Sequence, residues 1–213
     1  MQIDEEPEME FRANDEYLAW ELRQLRSRLE GYIEAHEQTG DASAYAALVR
    51  ELDEDRARGL EARARAMGQG VVIPFGQLSQ RFGLTSLEET LLMACLAHQL
   101  SSFVRALLIR AQGNLLKPYL EVGFLSDLLD PQHTYVSDVS WTELGGKLIE
   151  AGLVRTEAPR TEGVYASVLG HAVHAPHFIA AAVMGRAVVD ERLASFCALR
   201  APEPLATECL LPE

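Results

Sequence analysis

Three histidines recur at every third position, His171, His174 and His177, and imidazole is the commonest metal ligand in proteins. The stretch that carries them, His171-Ala172-Val173-His174-Ala175-Pro176-His177, holds no carboxylate or thiol. Pro176 forbids the continuous helix that would line up the three rings. They read as surface or helix-entry residues, and no metal ligand is assigned. Cys95 and His98 stand three apart, a spacing at which a helix could pair a thiol with an imidazole or share a ligand. No third group lies near them in sequence, so Cys95 reads as a small buried hydrophobe. A G-x-S-x-G elbow, an H-E-x-x-H pair and the dinucleotide-binding glycine pattern are all missing. The chain is therefore expected to be no enzyme, with no catalytic residue, metal or cofactor.

The elements around these residues belong to a chain of globular composition. Its 213 residues are 48% hydrophobic and carry 19 Lys and Arg against 32 Asp and Glu, a formal net charge of −13. That is enough for one domain, or one and a half, with an ordinary core. No apolar run, the stretch 91–96 included, approaches the roughly 18 residues of a membrane span. Met1-Gln2-Ile3-Asp4-Glu5-Glu6 lacks the basic start of a signal peptide. Three widely spaced cysteines, Cys95, Cys197 and Cys209, make no disulfide framework. These features predict a cytoplasmic protein without a membrane partner.

Charge is unequally spread. Residues 1–66 hold 17 acidic and 9 basic residues, a net of −8, which leaves −5 for 67–213. Within that first part Leu18, Leu22, Leu25, Leu29 and Tyr32 alternate at spacings of four and three, the pattern of one seam on one helix face. Glu21, Arg23, Arg26, Arg28 and Glu30 fill the other faces, and neither Pro nor Gly interrupts 11–30. Gly40 and Asp41 supply a stop and a new start, after which Tyr45, Leu48, Leu52 and Leu60 form a second, leakier stripe. The expectation is an acidic helical hairpin over 1–67. Its seams either pack on the rest of the chain or dock a partner protein or a second copy. Intrachain packing is the reading for the second helix. For part of the first, an interaction role is assigned to Leu18, Leu22, Leu25, Leu29 and Tyr32.

Gly68, Gly70 and Pro74 mark the passage to a second region, 74–200, followed by a Pro-bearing linker over 201–213. A helix over 75–82 is closed by Gly83. Thr85-Ser86-Leu87-Glu88 is a capping box, in which hydroxyl and carboxylate satisfy helix-start amides reciprocally. The helix it opens, 87–99, is apolar almost all round and should be the buried centre. Ser101 or Ser102 starts the next helix, which Gly113 ends, and Pro118 suits the first turn of another running to Leu129, stopped by Asp130-Pro131. A second capping box, Ser140-Trp141-Thr142-Glu143, precedes a helix with Leu144, Leu148 and Ile149 on one face, ended by Gly152. Residues 153–157 alternate like a strand, 158–163 are a turn, and 164–168 read as the returning strand. Helices close the region over 178–184 and 188–199. Helix, Gly, then a small β-hairpin is the order of a winged helix-turn-helix. The fold class predicted is mainly α: an N-terminal helical hairpin, then a winged helix-turn-helix domain with a small β-hairpin wing.

The run Gln77-Leu78-Ser79-Gln80-Arg81-Phe82-Gly83-Leu84-Thr85-Ser86-Leu87-Glu88 resembles the region ahead of the ATPase module in a group of bacterial AAA+ ATPases. Residues 144–154 look like that family's winged-helix recognition segment, and Ala181-Ala182-Val183-Met184-Gly185 is similar to its short closing helix. The resemblance covers about 74–200. It implies a segment that recruits a substrate or adaptor protein, with a distant association to contractile injection systems in some members. The departure is the phosphate loop G-x-x-x-x-G-K-[ST]. Gly146-Lys147 is the sole Gly-Lys, is followed by Leu148, and has Trp141 where the first Gly should stand. If the resemblance holds, the ATPase module lies outside this chain. The alternative is a winged-helix DNA-binding transcriptional regulator. Against it, the expected recognition helix, 141–151, offers Lys147 against Glu143 and Glu150, with Arg155 and Arg160 in the wing, too little to neutralise phosphates. The function expected is a non-catalytic protein-interaction or regulatory region, with no nucleic-acid partner.

Overall fold

A computed structural model describes residues 9–39, 42–113, 119–129, 146–158 and 168–188. Helix α1, Asn14–Ile33, opens with Asp15 and Glu16 against the positive end of its dipole and runs into a π-helical turn, Glu34–Thr39. Helix α2, Ala42–Gly68, returns beside it. The two approach closely because Gly31 and Gly59 face each other's partner helix. A Cβ at Gly31 would collide with Leu48, and one at Gly59 with the Trp20 indole. The expected hairpin is present, and its turn at Gly40 and Asp41 lies outside the described residues.

Helix α3, Pro74–Phe82, has Pro in its first turn and ends at Gly83, whose φ of 59° is left-handed. In the predicted capping box Glu88 N donates to Thr85 Oγ1 at 3.2 Å and Thr85 N to Glu88 Oε2 at 2.7 Å. It opens α4, Ser86–Leu100, in which every residue over 88–97 is buried. This is the central helix, and α1, the helices Ser102–Ala111, Val122–Leu129 and His177–Val183 and a strand all pack on it. Ser101 caps α5, Ser102–Ala111, whose end at Gly113 is again left-handed, φ 64°.

The sheet departs from expectation. Leu120–Glu121 is a strand, β1, so α6 is Val122–Leu129 and does not begin at Pro118, itself outside the described residues. After a helix, α7, over 146–150, Gly152 turns at φ 69°, and Leu153 and Val154 plug the core before β2, Arg155–Glu157. The returning strand was expected over 164–168. Residues 164–167 lie outside the described residues, and Val168–Gly170 is a 3-10 turn. Among the described residues the strand that pairs with β2 is β3, Ala172–His174. It lies in the middle of the antiparallel order β1-β3-β2, with Val173 opposite both Leu120 and Thr156. A three-residue strand with one inward apolar side chain, Val173, carries almost no period of its own, so only its two neighbours define it. Helix α8, His177–Val183, closes this side. The second capping box, Leu144, the wing turn over 159–163 and the linker over 201–213 lie outside the described residues.

The core is continuous. One apolar cluster runs from Phe11 through α1, α2, α4, α6 and the sheet to Val183. Two aromatic groups pin the hairpin to it: Tyr32 meets Tyr45 and Phe124 edge-on at 5.5 Å, and Phe11, Tyr17, Trp20 and Phe75 cluster at the opposite end. Tyr45 also donates to the Leu128 carbonyl at 2.6 Å, and Asn14 Nδ2 to that of Val183 at 3.0 Å. Among the described residues no single helix is long and apolar enough to cross a membrane.

Candidate functional site

The residues singled out for an interaction face are placed mostly inside. Leu18, Leu25, Leu29 and Tyr32 are buried, and Leu22 is half-buried against the same core. Helices α2, α4, α5 and α6 all pack on α1. The seam is therefore covered by this chain, a correction to the interaction role expected for the first helix. Glu21 and Arg28, expected on its solvent faces, are buried too. The second stripe also differs. Of the predicted positions only Tyr45 is fully buried, and the inward face of α2 is Tyr45, Val49, Arg56, Gly59, Ala62, Arg63 and Ala66.

Those two arginines enter a buried ionic network. Arg56 reaches Glu21 of α1 at 2.6 Å, Glu89 of α4 at 3.1 Å and the Ser86 hydroxyl at 3.1 Å. Arg63 donates to both Glu89 oxygens, at 2.8 and 3.0 Å, and to the Tyr17 hydroxyl at 2.9 Å. Tyr17 in turn donates to Glu21, and Ser79 of α3 to Glu89. Two guanidiniums against two carboxylates leave the cluster neutral, as burial demands. Burial pulls the arginines toward losing their proton, but Glu21 at Arg56 and Glu89 at Arg63 more than reverse it. Burial and then Glu21 push Tyr17 well up, so its hydroxyl remains a donor. Beside the network lies a cavity of about 10 Å³, lined by Glu21, Gln24, Arg28, Arg56, Thr90 and their apolar neighbours. That has room for about one water and no substrate. The network joins four helices; it has neither the space nor an activated nucleophile for catalysis.

Cys95 is fully buried, and burial pushes its thiol up to about 12. Nδ1 of His98 bonds the Cys95 carbonyl at 2.9 Å and not its sulfur. His174 sits on β3, 4.0 Å from Glu157, and His177 opens α8. Among the described residues no three His, Cys, Asp or Glu side chains gather as metal ligands do.

On the described part of the expected recognition helix, Leu148 is fully buried and Ile149 is 37% exposed, so the two do not share an inward face. Lys147 turns back on the chain. Its Nζ donates to the Gly83 carbonyl at 2.5 Å and lies 3.8 Å from Glu88, at the turn between α3 and α4. The Lys147 side chain nonetheless stays 46% exposed, and Ile149 and Glu150 are exposed beside it. Sequence reasoning missed Arg56, Arg63 and Glu89. For the two arginines the available signal was their spacing of three, four and seven with Val49, Gly59 and Ala66, which an apolar stripe conceals.

Comparison with known proteins gives a match of residues 2–197 to the family described as winged helix domain, variant. No curated protein and no solved structure matches the chain.

Proposed function

From the premise that the chain belongs to the variant winged helix domain family, we propose that it is a non-catalytic, cytoplasmic protein-interaction and regulatory region. Its recognition helix meets a protein partner or adaptor, and nucleic acid is not its ligand. The observation that carries this is Lys147. Phosphate binding needs unengaged cations, and on the described part of this helix the one lysine, though 46% exposed, is engaged by the Gly83 carbonyl and lies 3.8 Å from Glu88, with exposed Ile149 and Glu150 beside it. An apolar side chain beside a carboxylate suits a protein surface. The acidic balance of −13 works in the same direction.

The finer reading is the substrate- or adaptor-recruiting part of an AAA+ ATPase whose motor lies outside this chain. Supporting it, the segments that carry the resemblance are neighbours: α3 and α4 both pack on α8, and Gly185 lies against Pro74. Fluorescence anisotropy with random duplex DNA at low salt tests the first part. No saturable binding is expected, and micromolar binding that weakens steeply with salt would transfer the reading to a DNA-binding regulator. An in-frame phosphate loop in the coding region downstream is the result expected of the ATPase reading. Nucleotide affinity of this chain by calorimetry would overturn its non-catalytic half.

A further inference from the structure

Where the chain enters α1, a cleft of about 570 Å³ opens between residues 9–12 and residues 16–23 of the helix. Its buried walls are Phe11 and Trp20, 4% and 3% exposed, with ring centroids 5.7 Å apart. Ala19 and Arg23, both exposed and one turn apart, lie on its outer side. The other charges of the rim are matched among themselves: the Arg12 guanidinium lies 3.2 Å from Glu10, and Arg12 N donates to Glu16 Oε2 at 2.7 Å. Two donors are left over. Among the described residues nothing engages the Arg23 guanidinium, and the buried Trp20 Nε1–H has no hydrogen-bond partner. A buried donor without an acceptor is costly, and native proteins nearly always supply one.

We propose that this cleft binds a carboxylate carried on an apolar body, with Phe11 and Trp20 as its seat and Arg23 as its anchor. The volume lies within the range of small-ligand sites, about 300–1,000 Å³. The two rings favour an aromatic or aliphatic group, which gains by leaving water and by packing on them. The unengaged groups are donors, so the ligand must bring the acceptor. Among acceptors a carboxylate suits Arg23 best, because two parallel N–H groups of a guanidinium match its two oxygens. A nucleic-acid strand, with a charge at every residue, would also meet Glu10 and Glu16 on the same rim. A single carboxylate need touch Arg23 alone. Two sources share this chemistry: a small organic acid, and the last residue of a protein chain that ends in an apolar side chain. The site belongs to α1 and the segment ahead of it, and is independent of what α7 meets.

Proton–nitrogen correlation NMR of the full chain tests this, with the Trp20 indole N–H as the reporter and Trp141→Phe to assign the two indole peaks. The probes are N-acetylphenylalanine, a short peptide ending in phenylalanine, and the C-terminal amide of each. The Trp20 peak is expected to shift saturably with the free acids, at a dissociation constant of roughly 0.1–1 mM. The amides should bind at least about tenfold more weakly, having lost the charge that Arg23 meets. Arg23→Gln should lose about tenfold, and Ala19→Trp, which fills the cleft from its exposed side, should abolish binding. Both are surface changes, for which an unchanged melt is expected. Arg81→Gln, at an exposed arginine of α3, should leave affinity as it is. A peptide that binds about tenfold tighter than N-acetylphenylalanine assigns the chain end, and equal affinity assigns the small acid. No saturable shift with either acid, equal binding of acids and amides, or full affinity in Ala19→Trp would overturn the proposal.

Discussion

Where α1 and α2 meet α3 and α4, Arg56 and Arg63 are buried against Glu21 and Glu89, and each guanidinium is met by specific oxygens. Where α6, α7 and the sheet close over α4, the buried side chains include Val122, Leu125, Leu128, Leu148, Leu153, Val154 and Val173, and the hydrogen bonds are those of the backbone ladder and of neutral side chains such as Tyr45, Gln99 and Gln112 to the backbone. The first arrangement is directional. Sliding α2 by one turn along α1 would strand two charges in the core, so the network sets the register of the hairpin. The second is tolerant, since apolar burial is roughly proportional to area whatever the partner. A short sheet and a small apolar cluster suffice there because α4, buried over 88–97, supplies a common wall to both ends.

The largest expected effect erases the difference between the ends. Leu148→Asp on the wing side and Leu25→Glu on the hairpin side each bury an unpaired charge, which costs several kcal/mol, comparable with a stability of about 5–15 kcal/mol. Because the apolar cluster is continuous, both should abolish the cooperative melt. An unchanged melting temperature in Leu148→Asp would place that residue outside the core.

Next in size, Glu89→Gln removes one carboxylate from two arginines and should cost about 3–5 kcal/mol in urea denaturation. Replacing Glu21, Arg56, Arg63 and Glu89 together by methionine should cost far less, because no charge is left unpaired. If the quadruple variant is the worse of the two, the network contributes stability outright and the contrast between the ends is one of strength.

Two glycines sharpen the comparison at smaller scale. Gly59→Ala drives a methyl into Trp20 and should cost about 1–3 kcal/mol by overpacking. Gly152→Ala meets open space, but its φ of 69° should cost about 1 kcal/mol through backbone strain. Filling Gly59 should also quench or shift Trp20 fluorescence, which Gly152→Ala leaves alone. The smallest effect is at the shared wall, where Thr85→Ala loses the cap and about 1 kcal/mol.

The capping box at Thr85 and Glu88, the left-handed stops at Gly83, Gly113 and Gly152, the buried α4 and the helical hairpin were all legible from residue types, as was the winged-helix order. Each depends on groups within a few positions of one another, where spacing and geometry are nearly the same thing. Glu21 and Arg28 read as solvent-facing because the usual rule sends charges outward, and Arg56, Gly59 and Arg63 broke the apolar stripe that would have marked the inner face of α2. Their partners lie 25 to 46 residues away, and nothing local identifies which carboxylate will meet which guanidinium. In the same way β1 and β3, of two and three residues, exist only as a pair, with Leu120 opposite Val173. The sequence by itself determined where helices start and stop, because those hydrogen bonds close within about four residues. Only the tertiary structure decided which charges are buried, which strand lies in the middle and what covers the first helix, because a buried polar group is stable only when a partner distant in the chain arrives to satisfy it.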